Sequence, residues 1–125
     1  MMVNQGDIYW IPLKYPGGAD QGHIIHPHVV IQDNVINRSR IETLVVCALT
    51  TNSKRAKVPG NVLLEAGEAN LPRQSIVVVS RVSTVDKAQL GKYIGSLTRP
   101  RTDQIFAGMQ FLQLMTERHE IEVPA

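Results

Sequence analysis

Three of the chain's four histidines, His23, His26 and His28, fall within six residues of one another. Histidine's ordinary pKa of about 6.5 lets it take up and release protons near neutrality, and its neutral ring also binds metals. The cluster therefore admits two chemistries. As acid–base groups, His26 and His28 share a face if residues 26–33 form a strand. As metal ligands, His23-x-x-His26-x-His28 brings three imidazoles toward one ion. That spacing matches no standard metal signature, and no carboxylate or thiol stands ready to join. Arg81 is a second candidate, because it interrupts an apolar stretch where a guanidinium is costly unless paired or functional. An ion pair with Asp86 or Asp33 and a role in holding an anion are both open. A third feature is the basic segment 38–57, where Arg38, Arg40, Lys54, Arg55 and Lys57 face Glu42 alone. Such a patch attracts phosphate although the net charge is only +2. A solvated basic loop is the plainer reading of the same residues.

The elements that must hold these groups are mostly strands. Residues 6–13 (GDIYWIPL) predict a strand, with Tyr9 and Trp10 adding β-propensity. The loop 14–26 contains Pro16, Gly17, Gly18 and Gly22, and it has the length associated with functional loops. Residues 27–33 predict a second strand with Pro27 at its permitted first position. Residues 43–51 (TLVVCALTT) are almost unbroken apolar and suit a central strand buried on both faces. A basic loop over 52–60 leads to short strands at 61–65, at 75–79 continuing or bending at Ser80-Arg81 into 82–85, and at 92–97. From residue 101 to about 116 the period changes to that of a helix, through Ile105, Met109, Leu112 and Thr116. Thr98 or Thr102 can cap it, and Pro100 is tolerated in its first turn. About six strands followed by one helix predict a small barrel or half-barrel with a helix packed on it.

Composition narrows the classes. The chain has 125 residues, 43% hydrophobic and 19% charged, which fits one globular domain. No stretch approaches the roughly 20 apolar residues of a membrane span. The start of the chain has no secretory pattern, and Cys47 is the only cysteine, so a cytoplasmic location is expected.

Four segments, taken in order, resemble the MazF/PemK toxin family. GDIYWIPL at 6–13 is similar to that family's opening strand, and HPHVVIQDN at 26–34 to its "RPVVVIQND" segment. ALTTN at 48–52, followed by basic residues and a proline, matches the end of its long central strand. VSTVDKAQL at 82–90 is similar to its "IRTIDKxRL". The resemblance covers about residues 4–115. It implies a mainly β fold of the CcdB/PemK type, an SH3-like β-barrel with a C-terminal α-helix, with residues 1–125 as one domain in a homodimer. It implies a toxin endoribonuclease that cuts single-stranded RNA, mRNA included, by 2′-hydroxyl attack, with no metal or other cofactor. It also implies a small acidic antitoxin partner, contact with DNA only through that antitoxin, and no membrane association.

The family's catalytic threonine matches Thr50. Its catalytic arginine falls where this chain has His26, the main departure from the pattern. The expectation is that Arg81 supplies the missing cation and that His26 or His23 moves the proton. His23, His28, Thr51, Asn52, Lys54, Arg55 and Lys57 are the expected RNA contacts. Two alternatives accompany this reading: a catalytically impaired binder of nucleic acid or a partner, and a topoisomerase-inhibiting toxin in the style of CcdB.

Overall fold

The computed structural model describes residues 2–13 and 24–122. Those residues form six strands and two helices: β1 (Asp7–Leu13), β2 (Ile24–Val30), α1 (Asn34–Asn37), β3 (Thr43–Thr50), β4 (Val62–Leu64), β5 (Ser75–Asp86), β6 (Tyr93–Ser96) and α2 (Arg99–Glu122). The strands make one curled antiparallel sheet, a half-barrel, in the order β4-β5-β3-β2-β1-β6. The apolar run of β3 lies centrally between β2 and β5, as a strand buried on both faces requires.

Alternation sorts the core into two groups. Ile8, Val29, Cys47, Leu49 and Val77 gather with Ile105 of α2, while Tyr9, Ile11, Val30, Leu44 and Val46 form a second cluster. Met109 and Leu112 extend the helix contact at the spacing read from sequence. Thr98 begins α2: its side-chain oxygen accepts from the Arg101 amide at 3.4 Å and its carbonyl from the Thr102 amide at 3.0 Å.

One local feature differs from the sequence expectation. β2 begins at Ile24, so Pro27 sits inside the strand instead of opening it. The strand tolerates it because Pro27 stands opposite Trp10, whose own amide and carbonyl turn away to Lys92 and Gly91, while β3 begins to pair only at His28. The missing N–H therefore falls where no ladder partner waits. β5 keeps one strand through the bend allowed for at Ser80–Arg81: its register shifts so that Val78–Arg81 stand opposite Ala48 alone, which interrupts the ladder.

The two ends of the curled sheet are tied together by residues 67–71. The Asn70 side-chain amide donates to the Ile94 carbonyl at 3.2 Å, and the Arg101 guanidinium grips both Glu68 carboxylate oxygens at 2.9 and 2.6 Å. That fork holds the Glu68 carboxyl below its ordinary pKa. The helix packs closely on the turn before β4 at Gly108, where a Cβ would lie 2.0 Å from the Gly60 carbonyl oxygen. Helix propensity alone would make Gly108→Ala stabilising by about 1 kcal/mol. The contact is backbone on both sides, so overpacking at about 1–3 kcal/mol should win. We expect a lower urea midpoint for Gly108→Ala; a higher one would show that α2 is free to shift.

Candidate active site

At the end of the sheet where β2 and β5 start and β3 finishes lies a hollow of about 260 Å³. Its polar lining comes from His26, Thr50, Thr51, Arg73 and Ser75. Its apolar lining includes Trp10, Ile25, Pro27, Leu49, Leu71 and Pro72. Register explains the polar set. His28 pairs with Ala48, and by alternation His26 and Thr50, two residues beyond each, share their face. Trp10, Pro27 and Leu49 belong to the opposite face. Because the hollow lies at strand ends, residues of both faces reach it.

Each polar residue is held by the backbone around it. Thr50 Oγ1 accepts from the Asn52 amide at 3.2 Å, which leaves its hydroxyl proton as the part it can donate. Ser75, buried, donates its hydroxyl to the Arg73 carbonyl at 2.9 Å, fixing the chain that carries Arg73 into β5. Among the described lining residues Arg73 is the one full-time charge, and no carboxylate lines the hollow to oppose it. His26 is half-buried.

The expected site residues separate on this geometry. His26, Thr50 and Thr51 line the hollow. Arg81 does not: it is exposed in the interrupted stretch of β5, removed along the strand from the Ile76 end that pairs with Thr50. It avoids the apolar interior by lying where β5 leaves the ladder, and among the described residues no ion pair involves it. Arg73, overlooked at the sequence level, is the guanidinium at the hollow. Its only advance signal is its place two residues before an apolar strand that ends up beside β3.

His28 is 1% exposed and does not reach substrate. Its Nδ1 lies 2.9 Å from the His26 carbonyl, and since a carbonyl only accepts, Nδ1 carries the proton. Nε2 is buried with no hydrogen-bond partner among the described residues. His28 is therefore a core residue that fixes the backbone of His26, which corrects its assignment as an RNA contact. With both nitrogens turned inward it is also a poor metal ligand. Among the described residues no three His, Cys, Asp or Glu side chains gather as a metal set. His23 lies outside the described residues.

The basic segment forms a 3₁₀ turn over Ser53–Lys57. Asn52 caps it, its side-chain oxygen accepting from the Lys54 amide at 3.1 Å, so that oxygen is already committed. Lys54 and Lys57 are exposed and Arg55 is half-buried. None of the three lines the hollow; they follow directly on Thr50 and Thr51 as a basic approach to it. Cys47 is buried and its thiol is pushed up to about 12, which rules out thiolate chemistry near neutrality.

Comparison with known proteins adds the family. Residues 4–112 match the family described as PemK-like, MazF-like toxin of type II toxin–antitoxin system. The endoribonuclease MazF6 of Mycobacterium tuberculosis is 32% identical over 110 residues, covering 88% of this chain and 96% of that protein. The endoribonuclease EndoA of Bacillus subtilis is 31% identical over 110 residues, covering 88% and 93%. Among solved structures, a MazE–MazF crystal structure from Deinococcus radiodurans superimposes with a TM-score of 0.72 over 92% of this chain and 98% of its own, at 15% identity. A mycobacterial endoribonuclease in complex with its cognate antitoxin gives 0.70 at 23% identity, covering 87% and 92%.

Burial lowers the pKa of His28, with the His26 carbonyl bond opposing the shift. The folded state then refuses a proton that the unfolded chain accepts below about pH 6.5. Stability should fall as the pH drops from 7 toward 5. In His28→Asn that part of the fall should be absent, so the stability gap between wild type and variant should narrow on acidification. Denaturant melts at each pH measure this; a gap that widens would contradict it.

Proposed function

The chain belongs to the family of PemK-like, MazF-like toxins of type II toxin–antitoxin systems and is a toxin endoribonuclease; from that premise we propose that it cuts single-stranded RNA, mRNA included, at the hollow, without a metal, by attack of a 2′-hydroxyl on the adjacent phosphate. The reading rests on one observation: His26, Thr50, Thr51 and Arg73 line a single hollow. In the step, the O2′–P bond forms, the P–O5′ bond breaks, and the O2′ proton passes to the His26 imidazole acting as base. The departing O5′ takes a proton from solvent. Cleavage leaves a 2′,3′-cyclic phosphate and a 5′-hydroxyl. The Arg73 guanidinium holds the charge gathering on the phosphorane, and the Thr50 hydroxyl donates to a non-bridging oxygen. Arg73 thus takes the part of the cation missing before Pro27. Lys54, Arg55 and Lys57 draw in the phosphate backbone.

A small acidic antitoxin that covers this basic approach fits the same charge pattern. DNA contact would come through that partner alone, and a cytoplasmic location suits the single buried cysteine. No helix among the described residues is long and apolar enough to cross a membrane. A homodimer is supported by Phe111, Leu114 and Met115, which α2 leaves exposed. Light scattering should return twice the mass of one chain; a monomer at micromolar concentration would remove that assignment.

Initial rates on a mixed single-stranded RNA test the chemistry. His26→Ala should lose about 10²–10⁴-fold and Arg73→Ala about 10²–10³-fold. Arg81→Ala should keep the wild-type rate, and EDTA should change nothing. If Arg81→Ala is the slow variant and Arg73→Ala the normal one, the cation has been misplaced.

A further inference from the structure

The hollow has a second wall that the cleavage chemistry does not use. Trp10, Ile25, Pro27 and Pro72 form it over the buried Leu71, and Ile25 is 56% exposed. Burying that much apolar surface would have been the default of folding, so its exposure beside an anion site needs a reason. The wall is also rigid. The Trp10 amide donates to the Lys92 carbonyl at 3.0 Å, and its carbonyl accepts from the Gly91 amide at 2.7 Å. Gly91 approaches so closely that a Cβ there would lie 2.4 Å from the Trp10 carbonyl oxygen. On the other side Pro27, which has no donor to satisfy, stands across from Trp10 in the ladder. The backbone that carries the half-buried Trp10 side chain is thus held on both sides at the hollow's edge.

A polar wall that takes a phosphate and a flat apolar wall next to it match the two halves of one nucleotide. We infer that Trp10 and its apolar neighbours form a stacking subsite for the nucleobase attached to the ribose beside the cleaved phosphate. The inference builds on the cleavage reading above and names where that substrate's base goes. Aromatic stacking supplies affinity without demanding a particular base edge, since every base has a π-face. Its role here is to hold the nucleotide so that the 2′-hydroxyl lies in line with the phosphate at Thr50 and Arg73. A purely aliphatic ligand would use the apolar wall but leave Arg73 and Thr51 idle, so a nucleotide is the better match.

Trp10 is the chain's only tryptophan, so its fluorescence reports this wall alone. The probe is a mixed-sequence 2′-O-methyl RNA oligonucleotide, which binds but lacks the attacking hydroxyl. It should quench the tryptophan. The same oligonucleotide made abasic should bind about ten- to a hundredfold more weakly and leave the fluorescence unchanged, and inorganic phosphate should leave it unchanged too. Equal quenching by the abasic oligonucleotide, or no quenching by the intact one, overturns the subsite and leaves the wall to protein packing. Cleavage kinetics give a second readout. Trp10→Phe should keep a near-normal KM and Trp10→Leu should raise it on intact RNA, with wild type and Trp10→Leu equal on RNA abasic next to the cut. The two readings can fail separately. Quenching without any RNA cleavage removes the nuclease and keeps the base subsite; cleavage without quenching does the reverse.

Discussion

The register of β2 between β1 and β3 is the constraint on which the site depends. Side chains alternate along a strand with a period of two, so a slip of one residue moves every group to the other face. As paired, His28 stands between Tyr9 and Ala48 and Trp10 opposite Pro27, and alternation puts His26 and Thr50 on the His28 face, at the hollow they both line. The bond from His28 Nδ1 to the His26 carbonyl ties the buried histidine to the backbone of the one at the hollow. Burying a ring with one nitrogen unsatisfied is unfavourable. The apolar residues on the same face, Ile11, Val30 and Val46, offset it by excluding water from the strands they anchor.

Curvature of the sheet decides which charged groups meet. The interruption of β5 at Val78–Arg81 sends Arg81 into solvent and leaves the start of the strand beside Thr50. The chain just before that start then delivers Arg73 to the hollow, held through Ser75. A cation on a loop that runs into a fixed strand can meet a phosphate without being buried, so it avoids the desolvation that a guanidinium within β5 would suffer.

The remaining elements keep that curvature. Residues 67–71 bridge toward β6, where a Cβ on Gly95 would lie 2.1 Å from the Ala69 carbonyl oxygen. Arg101 of α2 clamps the same segment through Glu68, and Ile105 seals the helix against the sheet. Helix, bridge and sheet thus act as one support, and the hollow opens at the end they leave uncovered.

Much of this architecture was legible in the chain. Strand alternation, the apolar run of β3, the helical period around Ile105 and the four ordered segments depend on local chemistry and on the sequence, and they announced the fold, the family and the positions of His26 and Thr50. Three matters were decided only by tertiary structure. Whether His28 faced solvent or core depended on what packed over its face of β2. Whether Arg81 or Arg73 met the hollow depended on a register shift against β3, some thirty residues away in sequence. Whether Trp10 was sealed in the core or lined the hollow depended on where the sheet ended. Each is a question of which distant segment lies alongside, and neither residue type nor spacing along one strand carries that information.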